Sequence, residues 1–124
     1  MGFLAVFLGG GIGAALRHGV NLASLRLIGG TFPFATLFEN VSGSFVMGLL
    51  AGYFAFRGDL SQTWRLFLTT GILGGYTTFS AFSLETVLLY ERGEIGLAVL
   101  YASASVILAV GGLFAGLAIV RVLT

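Results

Sequence analysis

The sequence is 57% hydrophobic and only 9% charged, yet it sets a small group of hydrogen-bonding side chains inside its apolar stretches. Arg17, Asn21 and Ser24 share one helical face at spacings of four and three. Thr36, Asn40 and Ser44 make a second stripe, four apart. Tyr101 and Ser105 make a third, with small Ala109 a turn beyond. Polar groups this deep in hydrocarbon are costly and point to function by default. Hydroxyls, an amide with two N–H donors and a guanidinium all donate, which suits an anion better than a cation. Plainer readings stand beside these: a snorkelling Arg17, an interhelical bond from Asn40 worth about 1 kcal/mol, and a packed or interfacial His18.

The stretch GILGGYTTFSAFSLE, residues 71 to 85, weakens its own helix. Gly74 and Gly75 followed by Thr77 and Thr78 disfavour helix through backbone entropy and β-branching. A break in mid-membrane frees carbonyls and amides, which is tolerable only where protein or an ion satisfies them. Freed carbonyls would coordinate a cation, and inward-pointing helix N-termini would attract anions. Two such breaks on a two-fold axis could cage one metal ion, and a kink filled by hydroxyl back-bonding is the structural alternative. Beyond the break, Phe79 and Phe82 fall on one face with Thr86 a turn on. Such a pair often only packs, but an aromatic ring has a positive edge that can line an anion path without trapping the ion. Glu85 needs hydroxyl donors, a cap or an arginine.

The elements that hold these residues are four apolar stretches, each long enough for a span of about 20 residues. They run near Phe3 to Leu27, Phe34 to Phe56, Trp64 to Tyr90 and Ile95 to Leu123. Short turn-rich linkers, IGGTFP, RGDLSQ and ERGE, join them. Pro33 suits the first turn of the second helix, and Asp59 and Ser61 are N-cap candidates for the third. The N-terminal MGFLAVFLGGG lacks a basic region and reads as the first span. The expected class is an all-α integral membrane protein: a single four-helix transmembrane domain over residues 1–124, its third helix broken near the middle. There is no cysteine, one histidine and no basic run for nucleic acid. Without a nucleophile–base pair, a metal motif or a phosphate loop, the pattern is not that of an enzyme.

Each span carries a glycine pair four apart, Gly9/Gly13, Gly48/Gly52, Gly71/Gly75 and Gly112/Gly116. This spacing lets helix backbones close on each other in lipid, and the set predicts tight packing that includes a partner chain. Four spans put Arg57, Arg65 and Arg121 on one side and Arg26 and Arg92 on the other. That split gives almost no positive-inside bias, so insertion in both orientations, and an antiparallel pair, is open beside a single weakly determined topology.

At these residues the sequence resembles the Fluc (CrcB) family of fluoride channels over essentially its whole length. The resemblance is carried by GGYTTFSAFSLE at 74 to 85 and ATLFENVSGSFVMG at 35 to 48, with GAALRH at 13 to 18 in support. It implies a dual-topology antiparallel homodimer in the bacterial inner membrane, with two fluoride pathways and a central structural sodium ion. Residue by residue, it implies that Asn40, Phe79, Phe82 and Ser80 line the pore and that Thr36, Glu85, Tyr101 and Ser105 belong to a polar track. Arg17 would be a vestibule charge, and the backbone carbonyls of Gly74 and Thr77 would hold the sodium. Two positions depart from the family pattern: Glu39 stands before the asparagine where an apolar residue is usual, and Ala81 where threonine often follows the serine. A carboxylate beside an anion route would repel the ion unless it faces away or is neutralised.

The implied activity is passive export of cytoplasmic fluoride. The main alternative is a small dual-topology, proton-coupled multidrug transporter. That mechanism needs a carboxylate in the first span, where this chain has Arg17. A non-conducting assembly subunit would leave the polar stripes as helix glue.

Overall fold

The computed structural model describes residues 1–124. The protein is all-helical, and four of its helical stretches are long and apolar enough to cross a membrane. α1 spans Gly2–Leu27, α2 Phe34–Phe56 and α6 Ile95–Leu123. The third span is assembled from pieces: α3 (Gln62–Leu66), a π-helical turn and a half (Phe67–Leu73), α4 (Gly74–Tyr76) and α5 (Phe79–Glu91).

The ends follow local chemistry. α1 stops before Gly29 and Gly30, whose positive φ values of 67° and 78° turn the chain back. Pro33 is the residue that caps α2 rather than part of its first turn. It has no N–H to leave orphaned there. Ser61 caps α3 by accepting from the Trp64 N–H, while Asp59, the other candidate, accepts the Tyr53 hydroxyl at 2.9 Å.

The break falls on the two threonines of the Gly-Gly-Tyr-Thr-Thr stretch that suggested it. Gly74 and Gly75 stay helical; Thr77 (φ −87°, ψ 155°) and Thr78 (φ −152°, ψ 121°) are extended. The glycines serve packing instead. A Cβ on Gly75 would collide with the carbonyl of Gly10 and lie 3.1 Å from the Ala14 nitrogen. Each threonine hydroxyl then repairs one side of the interruption. Thr77 Oγ1 donates back to Leu73 O at 2.9 Å, and Thr78 Oγ1 accepts the Ala81 N–H at 3.1 Å as the N-cap of α5.

Two close helix pairs make the bundle, α1 against the first half of the third span and α2 against α6. Gly9 and Gly13 meet Gly71, Ile72 and Tyr76, and a Cβ on Gly9 would stand 2.6 Å from the Phe67 carbonyl oxygen. Gly48 and Gly52 meet Leu113 and Val120, while Gly112 and Gly116 meet Val41, Phe45 and Leu49. All four pairs are therefore used inside one chain, and a partner chain is not needed to explain them. Gly2 lies beside Leu66 and Gly52 beside Val120, so both pairs run parallel and both termini lie at the end that carries the 57–61 loop.

The buried core is small: Leu89, Ala98 and Tyr101, with Phe32, Leu37 and Phe82 packed on it. Most large apolar side chains, from Phe3 and Phe7 on α1 to Ile107 and Phe114 on α6, point outward. A surface of that kind belongs in lipid, and the chain is a multi-pass membrane protein.

Candidate functional site

The site is built around the break. Asn40, half-buried on α2, faces Thr78 across the bundle. Its Nδ2 donates to Thr78 O at 3.1 Å and its Oδ1 accepts from the Thr78 N–H at 2.8 Å. The extended residue is thus paired as it would be in a β-ladder, by a side chain in place of a strand. This satisfies backbone groups that hydrocarbon cannot.

Below the clasp is a cavity of about 340 Å³ lined by Asn40, Ser44, Gly74, Thr77, Thr78, Phe79, Phe82 and Ser105, with Ala109 and aliphatic residues of α6. It contains no charged side chain. The Ser105 hydroxyl is buried and has no hydrogen-bond partner in the protein. The N-terminus of α5 also opens here, and backbone N–H groups of a first helical turn favour negative charge. Donor groups without a fixed positive charge make a surface that an anion can enter and leave.

Aromatic rings form one wall. Phe79 and Phe82 have centroids 5.4 Å apart and planes tilted by 47°; Phe82 and Tyr101 follow at 5.3 Å and 45°. Phe32 then meets Tyr101 edge to face at 5.6 Å and 84°. Phe79 is 77% exposed, so its outer face has no neighbour within the protomer.

On the far side of Phe82, both oxygens of Glu85 are held. Thr36 Oγ1 donates to Oε2 and the Tyr101 hydroxyl to Oε1, each at 3.0 Å. The hydroxyl reading of Glu85 is the one realised here. A second cavity, of about 320 Å³, reaches Glu85 from the end of the bundle that carries the 28–33 loop. Asn21, Ser24, Phe32 and Arg92 line it. A continuous series of contacts, from Phe82 to Tyr101 to Glu85, links the two cavities.

Arg17 lies apart from both. Its Nε donates to Gly75 O at 3.1 Å, across the α1 interface and just ahead of the break. Ser80 stays outside the first cavity, exposed, with its hydroxyl 3.2 Å from Thr78 Oγ1. Of the residues singled out in the sequence, the fold gathers Asn40, Phe79, Phe82, Gly74, Thr77 and Ser105 around one space, and Thr36, Glu85 and Tyr101 into one triad. Two contributors were not foreseen. Thr78 is both clasp partner and helix cap, and the Tyr76 hydroxyl lies 3.0 Å from Ser42 Oγ, tying α2 to the segment before the break. The Thr-Thr pair was the available signal for the first, since threonine is a good cap and a poor helix interior. Nothing in spacing links Ser42 to Tyr76.

The family model described as "CrcB-like protein, Camphor Resistance (CrcB)" matches residues 4–117. The chain is 68% identical over 124 residues to fluoride-specific ion channel FluC 2 of Nitrobacter hamburgensis, covering all of both chains. It is 65% identical, again over the full length of both, to the fluoride-specific ion channel FluC of Rhodopseudomonas palustris. A second Nitrobacter hamburgensis protein, FluC 1, is 53% identical over 97% of this chain and 95% of its own. With the broken third span and its Asn40 clasp already in place, these matches establish that the chain belongs to the CrcB family.

Proposed function

We propose that the protein is a fluoride-selective channel through which cytoplasmic fluoride leaves the cell passively. The observation that carries this reading is the cavity under the Asn40–Thr78 clasp. It is lined by an amide, an unpartnered hydroxyl and aromatic rings, and it lacks any charged group that would bind an anion too tightly to release it. The name its relatives carry, fluoride-specific ion channel, supports the choice of ion. In this reading Asn40, Phe79, Phe82 and Ser80 bound the route. Thr36, Glu85, Tyr101 and Ser105 form the polar track beside it, and Arg17 sets the potential near its mouth.

The channel unit is an antiparallel homodimer with one pathway per protomer. Two features support this assembly: the exposed face of Phe79 and the near-even split of arginines between the two ends of the bundle. The Gly74 and Thr77 carbonyls accept none of the hydrogen bonds made outside the helices, whereas that of Gly75 is occupied by Arg17. Two carbonyls from each of two copies would offer the oxygen donors that suit a sodium ion. The ion would supply positive charge at the dimer centre. The Thr77 hydroxyl is turned away to Leu73, so the backbone alone would hold it.

Fluoride efflux from liposomes containing the purified protein, read with a fluoride electrode and repeated with chloride, tests the proposal. Rapid fluoride release with chloride retained is the expected result. Silence from a folded dimer would refute it.

A further inference from the structure

The second cavity, at the end of the bundle that carries the 28–33 loop, is more than an access to the Glu85 triad. Four polar side chains besides Glu85 line it: Asn21 and Ser24 from one face of α1, Thr31 from the loop, and Arg92 from the end of α5. Its volume of about 320 Å³ holds roughly ten waters at about 30 Å³ each, so a small ion keeps its hydration here. An ion in that state is attracted by charge rather than by close fit.

The charge is divided between two residues, since Arg92 and Glu85 alone among those lining the cavity are ionic. Glu85 opposes the entry of an anion. Its two oxygens accept from the Thr36 and Tyr101 hydroxyls and not from Arg92. Hydroxyl donors leave the negative charge of a carboxylate in place. Arg92 is the C-cap of α5, with φ −76° and ψ −1°, and Gly93 at φ 82° turns the chain away behind it. Its side chain is exposed and can meet a hydrated ion. A cation at a helix C-terminus is favourable in its own right, and that would be its whole role if it faced only open water. It lines the cavity that leads to Glu85 instead, where low-dielectric walls focus its field.

We propose that Arg92, with the Asn21 amide and the Ser24 hydroxyl, forms an anion-capture site that offsets Glu85 and sets how fast anions enter at this mouth. The ligand is a small, hydrated monovalent anion, held loosely by one guanidinium and neutral donors. The site governs entry, not passage beyond Phe82. The proposal rests on the channel reading above.

Initial fluoride flux across liposome membranes, in both directions and against fluoride concentration, tests it. At low ionic strength Arg92→Gln and Arg92→Met are expected to raise the half-saturating fluoride concentration at least about threefold and to leave maximal flux unchanged. One charge is a part of the roughly 10- to 1,000-fold that a charged cleft supplies. Arg92→Lys keeps the charge and should restore the wild-type value. In about 1 M potassium gluconate the screening length falls to about 3 Å, and the neutral variants should match the wild type. Arg26→Gln removes a charge from the same end of the bundle but outside the cavity, and should behave as the wild type. Two neutral variants guard against one failing to fold. Unchanged half-saturation in both, or a loss confined to maximal flux, would overturn the capture site alone. An equal shift in Arg26→Gln would also overturn it, by assigning the effect to the surface charge of the whole end. No flux from the wild type would overturn the channel reading and the capture site with it.

Discussion

Asn40 holds Thr78 at both ends of one peptide residue, donating to its carbonyl at 3.1 Å and accepting from its N–H at 2.8 Å. This pair of bonds makes an extended residue tolerable in the middle of a membrane helix. It also fixes where α5 begins, because Thr78 is at once the clasped residue and the cap.

Asn40→Ala should therefore cost stability as well as flux. It strands a backbone donor and acceptor, at a penalty of roughly 1–3 kcal/mol. It should also reduce fluoride efflux by more than about tenfold, since the cavity loses its amide. Asn40→Asp keeps the acceptor but replaces the N–H donor with charge, so it should hold the Thr78 N–H and still fail in flux. Thermal unfolding in detergent beside liposome efflux separates the two effects. Full flux from a destabilised Asn40→Ala protein would restrict the residue to a structural role.

The glycine contacts make a prediction independent of transport. Gly13 and Gly75 leave no room for a Cβ against backbone atoms of the facing helix, whereas Gly11 and Gly111 have nothing within 4 Å. Gly13→Ala and Gly75→Ala should abolish a monodisperse, folded protein. Gly11→Ala and Gly111→Ala should be neutral or slightly stabilising, by up to about 1 kcal/mol, because alanine is the better helix former. Size-exclusion profiles and melting curves of the four variants would decide it. A well-folded Gly75→Ala protein would contradict the packing described for α1 and the third span.

How far the sequence foretold this structure varies from element to element. The span limits agree to within two residues, because hydrophobic length and the Gly, Pro and charged linkers are local signals. The polar residues were visible for the same reason, since any hydrogen-bonding group in hydrocarbon stands out. The pairings were not. That Asn40 meets Thr78, that Glu85 is held by Thr36 and Tyr101, and that Ser42 meets Tyr76 all depend on the relative register of α2, the third span and α6. No periodicity within one helix encodes that register. Within the stretch that was expected to break, the sequence does not say which residues leave the helix: Thr77 and Thr78 do, while Gly75 stays helical and allows α1 to approach.

The Glu85 triad should behave as a unit. Thr36→Val or Tyr101→Phe alone removes one of two donors, at about 0.5–1.5 kcal/mol for an interhelical bond in a membrane. The double variant leaves the carboxylate with neither, and its loss should exceed the sum of the single losses by about 1–2 kcal/mol. A double-mutant cycle on unfolding free energy measures the coupling. Strict additivity would show that water from the Asn21–Arg92 cavity already serves Glu85 well enough to replace the hydroxyls.

The two phenylalanines are predicted to differ in what they support. Phe82 stacks between Phe79 and Tyr101 and packs on the Leu89–Ala98–Tyr101 core. Phe82→Leu keeps most of the apolar volume and should cost about 1.5 kcal/mol or less in stability. Phe79 is largely exposed within the protomer, so Phe79→Leu should leave protomer stability nearly unchanged. Leucine in either position removes the positive ring edge that an anion could meet. Both variants should thus lower fluoride flux by more than about tenfold, the change that accompanies 1.4 kcal/mol of added barrier, while only Phe82→Leu shifts the melting curve. Efflux and melting measured on the same two preparations suffice. Unaltered flux in both would mean that the wall needs only to be apolar, and the cavity's donors would then have to account for anion passage by themselves.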